Sequence, residues 1–270
     1  MMESPIEFGK VLAMARRDIK SWGTYKTQAV ISILGAALGI ITWGLSSTYV
    51  NRPVPQYNTD YVSFLIVGIL IGSLILPLQQ GIQSRVSPFT LETILMAGIK
   101  TPTFILGTVV WPYVFSVITF IPQLVIGVEY FHAHLIVDPL SFVLSLLISS
   151  SIIFSLAIIG TAFRIVTKTS DPVTWALNVG ASVFSGMTFP IQQLNNYVPG
   201  LSTISWVFPQ TWVYNIVRLA TLEGASVLNP GIAEAFAGAA LFGVVLLPIS
   251  LAAFRWGIRR AKRDGTLGHF

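Results

Sequence analysis

The sequence predicts an all-α polytopic membrane protein with six transmembrane helices, an N-terminal amphipathic interfacial helix and a re-entrant external hairpin between spans five and six. Three observations lead there. Apolar residues make up 53% of the 270-residue chain and charged residues only 10%, where a soluble domain carries about 25% charge. Charge-free runs long enough to cross a bilayer recur along the chain. The last of them, Pro172 to Val217, extends for 46 residues without one Asp, Glu, Lys or Arg. That is about twice the length one span needs.

The spans follow from the charge-free runs. The first extends from Thr27 to about Tyr49 and the second from Tyr61 to about Ile82, with Pro77 near its inner end. The third covers Thr103 to Val128 and is interrupted by Pro112 and Pro122. The fourth covers Leu140 to Phe163, the fifth Val173 to about Phe189, and the sixth about Ala235 to Phe254. Six spans place both termini on one side. Of the 16 basic residues, 14 fall on that side and only Arg52 and Arg218 on the other. By the positive-inside rule both termini are cytoplasmic, in a cell (plasma or inner) membrane. The basic pI near 9.6 therefore reflects orientation rather than a nucleic-acid surface.

Residues 1–26 read as a cytoplasmic amphipathic helix. Phe8, Leu12, Ala15, Ile19 and Trp22 recur at three- and four-residue steps, and Val11 adds to that face. Lys10, Arg17 and Lys20 sit opposite, with Arg16 on the flank, which suits an inner headgroup layer or a cytoplasmic partner. No secretory leader is read here, because Glu3 and Glu7 precede any long apolar run. Residues 27–256 form the six-span domain, and 257–270 a basic cytoplasmic tail.

Two interruptions carry more information than the spans. Ser87 to Gly98 reads as a short capped helix, about residues 87–99, between spans two and three. Pro88 fits its first turn, Glu92 lies near the positive end of its dipole and Gly98 terminates it. It is either a simple loop helix or a lever for a soluble partner. The second interruption is Ser185-Gly186-Met187-Thr188-Phe189-Pro190, followed by Pro199 and Pro209 and closed by Arg218. A single helix does not pass through those prolines. The segment of about 190–229 is expected to dip into the outer membrane surface without crossing.

Small residues four apart let membrane helices approach closely. Gly35 and Gly39, Gly68 and Gly72, and Ala235, Ala239 and Gly243 have this spacing, for packing within the chain or between two copies. Polar candidates for a cargo pathway are Ser149, Ser150, Ser151 and Ser155 in the fourth span and Asn178, Ser182 and Ser185 in the fifth. No span has an ionisable residue near its centre, which argues against ion-coupled transport. With no cysteine, thiol catalysis and Cys-based metal sites are excluded. His132 and His134 lack a third ligand and read as a solvated loop. A membrane-embedded enzyme would need clustered His, Asp or Glu at membrane depth, and none is visible.

In order and spacing these features resemble the permeases of the ABC-type-2 transporter family, the membrane subunits of ATP-binding cassette exporters. The loop after the second span, Thr90-Leu91-Glu92-Thr93-Ile94-Leu95, resembles the family's T-L-E-x-L-L loop. Ser185-Gly186-Met187-Thr188-Phe189-Pro190 resembles its S-G-x-x-F-P break, followed here by Leu194, Pro199, Pro209-Gln210-Thr211 and Arg218. The likeness in order covers nearly the whole chain. It departs at Leu194 to Pro199, where many relatives have proline directly after leucine, and at Ala97-Gly98-Ile99, where relatives often have a Ser-Pro or Thr-Pro pair.

The resemblance implies a non-catalytic transport subunit that exports a drug-like, lipid-linked or glycolipid cargo. No phosphate-binding G-x-x-x-x-G-K-[ST] loop is present, so ATP and magnesium would sit on two copies of a separate ABC ATPase. Leu91, Glu92, Thr93, Leu95 and Gly98, with Arg16, Arg17 and Lys20, would contact that ATPase. Ser185, Gly186, Phe189, Pro190, Pro199, Pro209 and Arg218 would form an external gate. A second copy of the permease would pack along Gly35 and Gly39. Asn178, Ser182, Ser151 and Ser155 would line the pathway, with membrane lipid as the remaining partner. The alternative is a non-transporting scaffold or sensor that works without an ATPase.

Overall fold

The structure is a computed structural model that describes residues 7–50, 52–85, 98–167 and 172–263. Leu91, Glu92, Thr93 and Leu95 of the expected loop helix, and residues 264–270 of the basic tail, lie outside the described residues. Gly98 is described and has φ +63°, a left-handed conformation glycine adopts without penalty.

Helix α1 (Phe8–Thr24) is followed closely by α2 (Lys26–Thr48). The apolar stripe of α1 is divided. Ala15 is buried, Met14 sits over Gly107, and Trp22 packs on Phe115 with centroids 4.1 Å apart, Gly107 and Phe115 both lying on the helix Thr101–Val125. Phe8, Leu12 and Ile19 remain exposed. The helix is therefore rolled about its axis relative to the expected stripe, and Asp18 becomes buried on the packed face. A bond from the Glu7 N–H to the Thr103 hydroxyl, 3.0 Å, ties its start to the bundle.

A two-stranded antiparallel ribbon, β1 (Pro53–Val54) and β2 (Thr59–Asp60), turns through Asn58 at φ 45° and brings Tyr57 back into the core. The Asp60 carboxylate caps the next helix, accepting from the Ser63 N–H at 3.0 Å and its hydroxyl at 2.7 Å. That helix, α3 (Tyr61–Arg85), is the hub, with Phe64, Leu65, Ile66, Val67, Leu70 and Ile71 all buried.

Helix α4 (Thr101–Val125) continues into a π-helical turn, Ile126–Tyr130. Contrary to the sequence expectation, Pro112 and Pro122 do not interrupt it. The Pro112 ring lies over Gly81 of α3, where a Cβ would come within 2.7 Å. Membrane helices tolerate proline where neighbours re-satisfy or cover the freed backbone. Helix α5 (Pro139–Thr167) is capped by Asp138, whose carboxylate accepts from the Ser141 hydroxyl and N–H at 2.6 and 2.9 Å. These bonds hold the Asp138 carboxyl below its ordinary range.

Helix α6 (Pro172–Phe184) ends five residues before the expected limit at Phe189. A 3-10 turn (Ile191–Asn196), a short α7 (Leu201–Ser205) and α8 (Pro209–Thr221) follow, and α9 (Pro230–Arg263) closes the chain. Helix α9 runs along α5, close-packed where Gly243 meets Ser151 and Gly257 meets the Ala162 backbone.

Among the described residues, four helices are long and apolar enough to cross a membrane: Lys26–Thr48, Pro102–Tyr130, Pro139–Thr167 and Pro230–Arg263. The expected second span falls on α3, whose apolar part is the 17-residue Tyr61–Pro77. The expected fifth falls on the 13-residue α6. At 1.5 Å per residue α6 spans about 20 Å, against about 30 Å of hydrocarbon.

Candidate functional site

The break after α6 is organised around one side chain. Gly186 has φ +74°, and a Cβ there would lie 2.9 Å from Ile191, so the turn requires glycine. The Ser185 hydroxyl accepts from the Met187 N–H at 3.2 Å. The turn leaves the carbonyls of Gly186 and Met187 facing inward, and Arg218 of α8 answers both. Its Nη1 donates to Gly186 O, and its Nη2 donates to Met187 O at 2.6 Å and to Phe64 O of α3 at 3.3 Å.

Arg218 is 1% exposed, the largest fully buried side chain among the described residues. Its cationic carbon lies 3.6 Å from the Phe64 ring centroid, with the Tyr214 and Tyr57 rings at 5.6 and 5.9 Å. Among the described residues no carboxylate forms an ion pair with it. The buried charge is balanced by carbonyl dipoles and ring faces, each aromatic contact contributing about 1 kcal/mol or more when desolvated.

The surrounding bonds lock the same region. Tyr61 donates to Thr188 O at 2.8 Å, and Tyr57 to Asn215 Oδ1 at 2.9 Å. The Thr211 hydroxyl donates to Ser205 O at 2.6 Å, with Phe184 O at 3.0 Å. A Cβ on Gly68 would lie 2.3 Å from Met187 O and 2.6 Å from Arg218 Nη2. The backbone of α3 thus approaches the break only because residue 68 has no side chain.

Under the break, between α3, α6 and α8, lies a cavity of about 340 Å³. Ile71, Ile75, Ile153 and Val213 form an apolar wall, while Gln79, Asn178, Ser182, Gln210 and Tyr214 contribute neutral polar groups. A larger groove of about 730 Å³ runs between α2, α3 and α4, past Trp22, Trp43, Trp111 and Phe115. Gly72, Leu76 and Met187 line both and so form the partition between them.

The residues singled out from sequence distribute as follows. Ser185, Gly186, Pro190 and Arg218 converge on the brace, and Phe189 is half-buried within the same turn. Pro209 is buried at the start of α8, whereas Pro199 is exposed at the far end of the break. Asn178 and Ser182 reach the cavity. Ser151 and Ser155 instead belong to the α5–α9 packing: Ser151 meets Gly243, and the Ser155 hydroxyl donates to Ser151 O at 2.8 Å. Gly35 and Gly39 lie on a face of α2 where an added Cβ meets nothing within 4 Å. Arg16, Arg17 and Lys20 are exposed on α1, with Arg17 donating to Asp18 at 3.3 Å.

Tyr57 and Phe64 were not singled out from sequence, and Gln210 entered only as part of the Pro209-Gln210-Thr211 stretch. Phe64 lies 154 residues from Arg218 and carries no local signal of that contact. Among the described residues no group of three His, Asp or Glu is placed to hold a metal. No known protein family and no curated protein matches the chain.

Proposed function

We propose that the chain is the membrane permease subunit of an ATP-binding cassette exporter. It moves a drug-like, lipid-linked or glycolipid cargo outward by alternating access, and a separate ATPase supplies the energy. The observation that carries this reading is the break between α6 and α8, braced by Arg218 above a cavity within a bundle of apolar helices. A re-entrant element braced chiefly by one side chain suits an external gate.

In this reading α3 and α6 are the remaining two spans, both termini are cytoplasmic, and residues 190–229 face outward. Two ATPase copies, carrying ATP and magnesium, dock on Leu91, Glu92, Thr93, Leu95 and Gly98 and on the basic face of α1. The packing of α1 on α4 supports this route, because a push on α1 reaches the bundle through Met14, Ala15 and Trp22. Closure of the ATPases rocks two permease copies as rigid bodies, with no chemistry in this chain. The copies meet along Gly35 and Gly39.

Co-expression with a partner ATPase tests the reading. A stable complex is expected, and Glu92→Ala is expected to lower ATP turnover or coupled transport. Unchanged complex formation and transport after disruption of residues 88–98 would overturn the docking. A chain that acts without any ATPase would instead favour a scaffold or sensor.

A further inference from the structure

The cavity beneath the break contains an unanswered demand. Gln210 is only 7% exposed and lines the cavity, yet its Oε1 is buried with no hydrogen-bond partner among the described residues. Leaving a buried amide acceptor unpaired costs about 1–3 kcal/mol, and a leucine of similar size would avoid that cost. The Oε1 itself is enclosed, so Gln210 is an amide kept at the cavity wall at a cost, which a bound molecule that pairs with the rest of that amide offsets.

We infer that this cavity takes the uncharged, hydroxyl-bearing head of an amphiphile, a single sugar or polyol, whose chain leaves along α6. As an identification of cargo this rests on the exporter reading; as a binding site it stands on the cavity. Gln79, Asn178 and Gln210 are amides, and an amide pairs with hydroxyls both as donor and as acceptor. The Ser182 hydroxyl already donates to Val179 O at 2.7 Å, so its oxygen is left to accept.

Among the described residues lining the cavity there is no carboxylate, ammonium, guanidinium or imidazole. A charged head would lose its hydration with nothing to pair it, at several kcal/mol. The opposite wall of Ile71, Ile75, Ile153 and Val213 matches the apolar face of a ring. A cavity of about 340 Å³ is at the small end of ligand sites, which run from about 300 to 1,000 Å³, and this suits one ring rather than a long glycan. Asn178 and Ser182 are exposed at the mouth, and Trp175, Val179 and Val183 form an exposed apolar stripe beside them, one helical turn apart. That stripe is the track for the chain of the amphiphile.

The test is equilibrium binding to the full chain in lipid nanodiscs without any ATPase, with empty nanodiscs as the control. The probe is radiolabelled octyl glucoside below its micellar concentration, and octyl phosphate and octyltrimethylammonium compete against it. Saturable glucoside binding is expected, with both charged amphiphiles at least about tenfold weaker. Gln210→Leu is expected to weaken binding about tenfold, as loss of one desolvated hydrogen bond predicts. Asn178→Leu, at the exposed mouth where folding is not at risk, is expected to weaken it severalfold. Ser151→Ala, on the far face of α5, leaves binding unchanged. Equal binding of the charged amphiphiles would overturn the inference, as would wild-type affinity in both leucine variants. Glucoside binding without any ATPase complex sinks the exporter reading alone. A working ATPase complex that binds no glucoside sinks this inference alone.

Discussion

Helices α2 and α3 carry the same sequence pattern, two glycines four residues apart, and use it in opposite ways. On α3, Gly68 and Gly72 face inward. An added Cβ at Gly68 would come within 2.3 Å of Met187 O, and one at Gly72 would meet Met187 Cε and the Tyr214 hydroxyl at 3.2 and 3.3 Å. On α2, an added Cβ at Gly35 or Gly39 would meet nothing within 4 Å, and Gly39 lines the groove between α2, α3 and α4. The pattern records that a backbone is meant to be approached closely. Which backbone does the approaching is a property of the fold. On α3 the answer is the broken segment after α6; on α2 no described residue comes within 4 Å of an added Cβ.

The largest effect is expected where the inward-facing glycine meets its partner. Arg218→Met keeps much of the volume but removes every donor from Gly186 O and Met187 O. Two buried carbonyls left unpaired cost about 1–3 kcal/mol each, so a loss of about 4 kcal/mol is expected in thermal unfolding of the nanodisc-embedded protein. Protease sensitivity should rise at residues 186–190. Gly68→Ala comes next, at about 2–3 kcal/mol, because the Cβ collides with a carbonyl pinned by Arg218 and cannot be relieved by a rotamer change. The two variants combined should cost clearly less than their sum, since both disrupt the same brace. Strict additivity would break the assignment of Gly68 to the Arg218 contact.

Tyr57 is a smaller support for the same region. Its hydroxyl donates to Asn215 at 2.9 Å, a bond whose loss in Tyr57→Phe is expected to cost about 1 kcal/mol at neutral pH. Burial pushes the Tyr57 hydroxyl up from 10.0 to about 12, against the opposing pull of Arg218. The folded state therefore holds its proton more tightly than the unfolded chain. Stability present below pH 10 is lost as the pH rises toward 12. Tyr57→Phe should flatten that alkaline decline, as read from melting temperature against pH. Gly72→Ala ranks below it, at under about 1 kcal/mol, because Met187 Cε is the far end of a flexible side chain that gives way.

Much of this comparison was legible in sequence, and the remainder has physical reasons for being hidden. The break at Ser185 to Pro190 showed itself because glycine and proline are local punctuation. Arg218 stood out as a lone cation closing an uncharged run. Its partners Phe64 and Tyr57 did not, because contacts across more than 150 residues leave no periodicity. Pro112 and Pro122 were read as interruptions of a helix that in fact continues. Whether proline breaks a membrane helix depends on what covers the freed backbone, here Gly81 of α3 under the Pro112 ring. The face of α1 was half legible: periodicity located the apolar stripe, but the notch at Gly107 that seats Met14 rolls the helix and leaves Phe8, Leu12 and Ile19 outside. Gln210 was legible only as one residue of the Pro209-Gln210-Thr211 stretch, because burial and an unpaired oxygen are properties of the fold.

The smallest effect on stability falls on the Gly35 and Gly39 pair of α2, and it separates the two uses of the pattern most cleanly. Gly35→Leu and Gly39→Leu add bulk where nothing lies within 4 Å. Both replace glycine in a helix interior with a better helix former, a change worth up to about 1 kcal/mol in favour of the helix. Thermal stability of the single chain should therefore stay constant or rise slightly. If α2 is where two copies meet, the same leucines hold the backbones apart, and single-molecule photobleaching in dilute nanodiscs should shift from two-step to one-step traces. Gly72→Ala, on the inner helix, should leave that count unchanged. A drop in single-chain stability for Gly35→Leu would mean that this face is already filled from within. An unchanged two-step fraction would place the contact between copies on some other face.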